Sequence, residues 1–241
     1  THTWQNNPLS VACAEGRLDD VQVLLTDKDT HINQADENGI TPLSMACEKG
    51  RVKVVNALLA RKEIQINQAD IEGATPLFIA CQHNRINAVQ VLLARKEIQV
   101  NQANKLGRTP LHAACQKGHV DVVQALLTKK EIQINQAMND GWTPLLSASQ
   151  EGHVEVVQLL LARKEIKINQ ANEYGATPLH IACQKGRVDV VRVLLTSKKI
   201  QINQAMNDGF TPLFIAQALE HTEIVSLLQQ HSGVSMRSKK S

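Results

Sequence analysis

Seven prolines fall 34 residues apart, at Pro8, Pro42, Pro76, Pro110, Pro144, Pro178 and Pro212. Each precedes a leucine, and all but Pro8 follow a threonine. Eleven of the twelve glycines keep the same register: Gly39, Gly73, Gly107, Gly141, Gly175 and Gly209 lie three residues before a proline, and Gly16, Gly50, Gly118, Gly152 and Gly186 eight after one. Spacing this regular marks a repeat architecture, in which a unit buries its apolar face only by stacking on its neighbours. Seven units, registered at Asn7, Thr41, Thr75, Thr109, Thr143, Thr177 and Thr211, fill residues 1–231 as a single array. Residues 232–241 read as a disordered basic tail.

Each unit reads as two helices and a hairpin. Thr41 is an N-cap with Pro42 at the first helical position, where its fixed φ suits the helix and its missing N–H costs nothing. The first helix, Pro42 to Lys49, ends at Gly50, a left-handed C-cap. Val54, Val55, Leu58 and Leu59 then recur at helical spacing and define a second helix with one apolar stripe. Ile64 and Ile66 alternate with Glu63 and Gln65, an extended pattern. Asp36-Glu37-Asn38-Gly39 has the residues of a type I turn, predicting a hairpin tip. At about 8–10 Å between packed helices, seven units predict a curved slab roughly 60–70 Å long.

These residues carry a resemblance. The recurring G-x-T-P-L-x-x-A-C-x-x-G-x-x-x-V-V-x-x-L-L-x(7)-N-Q-A is similar to the ankyrin-repeat pattern over about residues 5–231, and Thr109-Pro110-Leu111-His112 and Gly118-His119 match it letter for letter. The resemblance implies an all-α solenoid of stacked helix-turn-helix units with short β-hairpins. One departure is consistent: the period is 34 rather than the family's usual 33, with Arg61-Lys62-Glu63-Ile64 where the family has Gly-Ala.

Composition and chemistry exclude several function classes. A net charge of +3 is too small for a dedicated nucleic-acid binder. No apolar run reaches the roughly 18 residues of a membrane span. Cys13, Cys47, Cys81, Cys115 and Cys183 share one repeat position; neighbours a full repeat apart are too distant for a disulfide. They read as small buried hydrophobes and imply a reducing, intracellular compartment. No Cys-x-x-Cys or His-x-x-x-His pair suggests a metal, no cofactor motif is present, and no Ser/His/Asp set or phosphate-cradling loop suggests catalysis or a small-molecule substrate. In the family, the position of His119, His153 and His221 and that of His112 and His180 make inter-repeat or capping hydrogen bonds. Asn67, Asn101, Asn135, Asn169 and Asn203 are expected to bond locally to the hairpin backbone. The start at Thr1 and the basic tail suggest a piece of a longer protein.

The resemblance also implies a monomeric protein–protein interaction scaffold whose partner lies across a concave face of hairpin tips and first helices. Aromatics are only 2% of the chain, six residues, and none lies at a Val-Val/Leu-Leu core position. Trp142, Tyr174 and Phe210 are tip residues of consecutive units. Phe78 and Phe214 follow Thr-Pro-Leu, and Trp4 precedes the first unit. Interface hot spots favour Trp, Tyr and Arg. The expected binding ridge is therefore Arg108–Trp142–Tyr174–Phe210 with Leu106, flanked by Gln116, Lys117, Gln150, Glu151, Gln184 and Lys185. The competing surface is a basic stripe, Arg61-Lys62, Arg95-Lys96, Lys129-Lys130, Arg163-Lys164 and Lys198-Lys199, which would dock an anionic partner such as nucleic acid, phosphates or a membrane surface. Its other reading is cation placement at helix C-termini, partly cancelled by Glu63, Glu97, Glu131 and Glu165.

Overall fold

The structure is a computed structural model that describes the backbone of residues 7–238 and the side chains of residues 7–232; Trp4 lies outside them. Fourteen helices occur among the described residues. In chain order they are α1 (Pro8–Glu15), α2 (Leu18–Thr26), α3 (Pro42–Lys49), α4 (Val52–Leu59), α5 (Pro76–Gln82), α6 (Ile86–Leu93), α7 (Pro110–Lys117), α8 (Val120–Leu127), α9 (Pro144–Glu151), α10 (Val154–Leu161), α11 (Pro178–Gln184), α12 (Val188–Leu195), α13 (Pro212–Ala218) and α14 (Thr222–Ser238). The backbone of α14 runs on through residues 232–238, where the sequence suggested a tail; residues 239–241 lie outside the described part.

The first helix of each unit starts where the chain chemistry predicts. The side chains of Thr41, Thr75, Thr143, Thr177 and Thr211 each accept the backbone N–H three residues on, with proline in the first turn. The second helices bury one stripe: Val54, Val55 and Leu58 are at most 1% exposed, as are Val190, Val191 and Leu194. Each such leucine contributes about 1.5–3 kcal/mol by leaving water.

The chain divides into two units, Thr1–Ala114 with Asp121–Ile132, and Cys115–Val120 with Gln133–Ser241. In the first, first helices pack on first helices (α1 on α3, α3 on α5) and second helices on second helices (α2 on α4, α4 on α6). The second repeats this two-layer stack with α9, α11 and α13 against α10, α12 and α14. The core is aliphatic apart from Phe78, with Cys13, Cys47, Cys81, Cys115 and Cys183 buried within it and not joined in disulfides.

The hairpins differ from the expected form. No described residue pairs in a strand ladder. The segment carrying Ile64 and Ile66 is a pair of turns, closed by Ile64 N–H to Arg61 O at 3.3 Å and Gln68 N–H to Gln65 O at 3.1 Å. The added Arg61-Lys62-Glu63-Ile64 segment forms the first turn. Neighbouring tips are joined by single bonds, Ile71 N–H to Asn38 O at 3.0 Å and Lys105 N–H to Glu72 O at 2.9 Å.

The repeated asparagines correct a second expectation. Their bonds are not local. Asn33 Nδ2 donates to Glu63 O at 2.7 Å, and its Oδ1 accepts from Gln65 N–H at 2.8 Å. Asn67, Asn135 and Asn169 repeat both bonds to the following unit.

A candidate partner-binding cleft

Each loop tip is set by a short polar side chain. Asp36 Oδ1 accepts from Asn38 N–H at 2.9 Å and Ile40 N–H at 2.8 Å, while Gly39 N–H closes on Asp36 O at 3.0 Å. Asp70, Asn104 and Asn172 do the same. In two tips the position is Met138 or Met206, and the carboxylate moves two residues on. Asp140 Oδ1 then accepts from Trp142 N–H at 3.2 Å and Asp208 Oδ1 from Phe210 N–H at 3.1 Å. The exchange frees a methionine side chain to pack.

In the second unit these changes build a cleft. Trp142 and Met206 lie partly buried on a cluster of Leu146, Ala176 and Ile181. Around them, Trp142, Asn172, Tyr174, Ala176, His180, Ile181, Gln184, Met206 and Ile215 line a space of about 220 Å³. Tyr174 is 61% exposed at its mouth. Phe210 and Phe214 stack beside each other, ring centroids 4.6 Å apart and planes 16° from parallel, and remain 43% and 48% exposed. The tips are fixed to one another by Glu173 N–H to Asp140 O at 3.3 Å and Asn207 N–H to Tyr174 O at 3.1 Å.

The electrostatics at the cleft are negative. The Glu173 carboxylate, hydrogen-bonded to the Tyr174 phenol, raises that phenol above its ordinary range, with Asp140 adding to the effect. His180, in the wall, is 1% exposed, and burial holds its pKa below the ordinary value. Its Nδ1 accepts from Thr177 N–H at 3.2 Å, and its Nε2 donates to Phe210 O at 3.2 Å. That imidazole caps a helix and ties one repeat's tip to the next.

Of the expected site residues, Trp142, Tyr174 and Gln184 are brought together here, with Phe210 adjoining through its carbonyl. Lys185 is exposed next to Gln184, and Gln150 Nε2 donates to Glu151 Oε1 at 2.9 Å at the end of α9. Gln116 presents its carbonyl to His153 Nε2 at 3.0 Å, and Lys117 beside it is exposed. Arg108 and Leu106 belong to the first unit. There the Arg108 guanidinium lies over the Phe78 ring, 5.8 Å from its centroid, while Leu106 and Ile71 stand 58% and 50% exposed. Met206, Ile181 and Phe214 are absent from the ridge drawn from sequence. The signal for Met206 was there, as a methionine interrupting the Asp/Asn series at the tips.

In the basic stripe the first cation of four of the five pairs is engaged. Arg61, Arg95, Lys129 and Arg163 pair with Glu63, Glu97, Glu131 and Glu165 at 2.7, 3.2, 3.6 and 2.9 Å. Arg61 Nη1 also donates to Leu25 O, and Lys129 Nζ to Leu93 O at 3.1 Å, so these cations cap the second helix of the preceding repeat. No group of three or more His, Cys, Asp or Glu side chains among the described residues could hold a metal ion. No helix among them is long and apolar enough to cross a membrane.

Comparison with known proteins agrees with this geometry. A family model of ankyrin repeats matches three times, at residues 9–104, 98–172 and 164–240. Among solved structures, the crystal structure of the human ASB11 ankyrin repeat domain is similar at 28% identity and a TM-score of 0.74, covering 88% of this chain and 96% of that one. Comparison with curated proteins gave no match. With the family model spanning nearly the whole stack of capped helix pairs, the chain belongs to the ankyrin-repeat family.

Proposed function

We propose that this chain is a recognition scaffold that takes a protein or peptide on the tips and first helices of its second unit, with Trp142, Tyr174 and Phe210 as anchors. Ankyrin repeats generally mediate protein–protein interaction and are typically non-enzymatic. The observation that carries the reading is the open, aromatic-walled cleft in a chain whose core holds a single aromatic, Phe78, among the described residues. Gln116, Lys117, Gln150, Glu151, Gln184 and Lys185 supply polar contacts around it, as the rim of an interface does. In the first unit, Arg108, Leu106 and Ile71 offer a contact set of their own. The scaffold acts as a monomer, and its five buried cysteines, none joined in a disulfide, suit a reducing compartment inside the cell.

The test is capture of a partner by the immobilised chain, compared with Trp142→Ala and Tyr174→Ala. Hot-spot truncation costs about 2 kcal/mol or more, so either variant should lose roughly thirtyfold in affinity. Tyr174 is exposed, so its variant should melt at the wild-type temperature. Unchanged capture by both variants would remove the reading.

A further inference from the structure

The face proposed above as a docking site also indicates what it would select, and the following inference rests on that reading. We propose that the Trp142–Tyr174–Met206 cleft receives one apolar side chain of a basic peptide segment, whose flanking arginines or lysines pair with Asp140, Glu173 and Asp208.

Size comes first. Pockets for drug-sized molecules run from about 300 to 1,000 Å³, whereas this cleft holds about 220 Å³. It suits one aliphatic side chain rather than a cofactor. Its walls are the rings of Trp142 and Tyr174 and the side chains of Met206, Ile181 and Ile215, with Asn172 and Gln184 at the edges.

Charge decides what flanks that side chain. Three consecutive tips each carry one carboxylate next to the cleft residues: Asp140 and Asp208, each accepting one backbone N–H through Oδ1, and Glu173, hydrogen-bonded to the Tyr174 phenol. Among the described residues none of the three joins an ion pair. The tips of this unit carry no cation; Lys117 and Lys185, at the far ends of first helices, are the cations of this face, and Glu151 stands beside Gln150 among them. The chain carries a net charge of +3, so the acidic rim is a local inversion of its overall sign. Groups within the cleft register it: Tyr174 feels Glu173 and Asp140, and His180 feels Asp208. Aromatic walls also accept an arginine plane or a lysine stem laid across them.

The spacing of the rim restricts the sequence. The tip-to-tip bonds, Glu173 N–H to Asp140 O and Asn207 N–H to Tyr174 O, hold the carboxylates in a row. Stacked helices repeat at about 8–10 Å, and a chain in the polyproline II conformation advances about 3.1 Å per residue with three residues per turn, which returns every third side chain to the same edge. Cations three residues apart therefore meet successive tips, with the apolar residue between them.

The experiment uses the full chain and three labelled peptides that differ only in a central tetrapeptide: Arg-Leu-Ser-Arg, Arg-Ala-Ser-Arg and Glu-Leu-Ser-Glu. Binding is measured by fluorescence anisotropy at low and high salt. The Arg-Leu peptide should bind at least tenfold more tightly than the other two and weaken as salt rises. In the triple variant Asp140→Asn, Glu173→Gln, Asp208→Asn it should lose about tenfold, and its salt dependence should flatten. Equal binding of the Glu-Leu peptide, an unaltered triple variant, or no binding of any peptide at millimolar concentration overturns the inference. If the charges prove irrelevant but Trp142→Ala still weakens peptide binding, the docking face stands without its basic preference. If Trp142→Ala and Tyr174→Ala bind every peptide as the wild type does, the docking reading itself fails.

Discussion

Glu220 holds a backbone conformation that the other six repeats give to glycine or asparagine. Its φ is 58°, matching Asn84 at 56° and the glycines at 65–87° in the same position. A side chain there costs about 1–2 kcal/mol, partly offset by glycine's greater freedom when unfolded. Glu220→Gly should therefore raise stability by about 0.5–1 kcal/mol, seen as a higher urea midpoint; an unchanged or lower midpoint contradicts this. At Gly118 the same conformation comes with crowding. A Cβ would stand 2.5 Å from His153 Nδ1, so Gly118→Ala should cost more than Glu220→Gly gains. His180 sets a pH dependence. Its Nδ1 lone pair is occupied by Thr177 N–H, and burial lowers its folded pKa below the ordinary histidine value of about 6.5. The unfolded chain then binds the proton more readily, so stability is fully present above about pH 6.5 and declines as pH falls. Urea midpoints at pH 7.5 and 5.5 should differ less in His180→Gln than in the wild type.

At the scale of elements, the asparagine ties separate what the sequence states from what it leaves out. Asn135 makes two hydrogen bonds to the next repeat's turn, to Glu165 O at 2.8 Å and from Lys167 N–H at 2.9 Å. Asn135→Ala should cost about 1–3 kcal/mol, at about 0.5–1.5 kcal/mol for each bond. Asn203 makes no such pair of bonds among the described residues, so Asn203→Ala should fall within about 0.5 kcal/mol of wild type. Equal costs at the two positions would restore the local role expected from sequence. Helix starts at Thr41-Pro42 and ends at Gly50 were legible because cap, proline and left-handed glycine act within a few residues. The asparagine ties were not, because their partners lie 30 and 32 residues away and are backbone atoms, which leave no mark in the sequence. The cleft stands between these cases. Trp142 and Tyr174 were visible as aromatics at variable tips. That Trp142 would lie on Leu146, Ala176 and Ile181, or Arg108 over Phe78, depends on packing between repeats, which the pattern of a single repeat does not encode.

For the molecule as a whole, a stack of repeats ties each thiol's accessibility to its place in the chain. Cys13, Cys47 and Cys81 share one repeat position in the first unit, and each is 0% exposed. Burial also pushes the Cys13 thiol up to about 12 and raises that of Cys47 further, so little reactive thiolate forms while the fold is closed. Labelling must therefore wait for a repeat to open. Opening a terminal repeat breaks one interface and opening an internal repeat breaks two, since stability is close to a sum of nearest-neighbour terms. Cys13 lies in the first described repeat, where Val23 is 68% exposed and Pro8, Val11, Ala12 and Leu24, with Arg17 and Asp20, line an open surface among the described residues. Pulsed alkylation read by peptide mass spectrometry should modify Cys13 well before Cys47 or Cys81, with all three reacting rapidly in urea. Glu220→Gly, at the far end of the chain, should leave the Cys13 rate unchanged if opening is local. Simultaneous labelling of the three cysteines would instead mean that the first unit opens as one cooperative body.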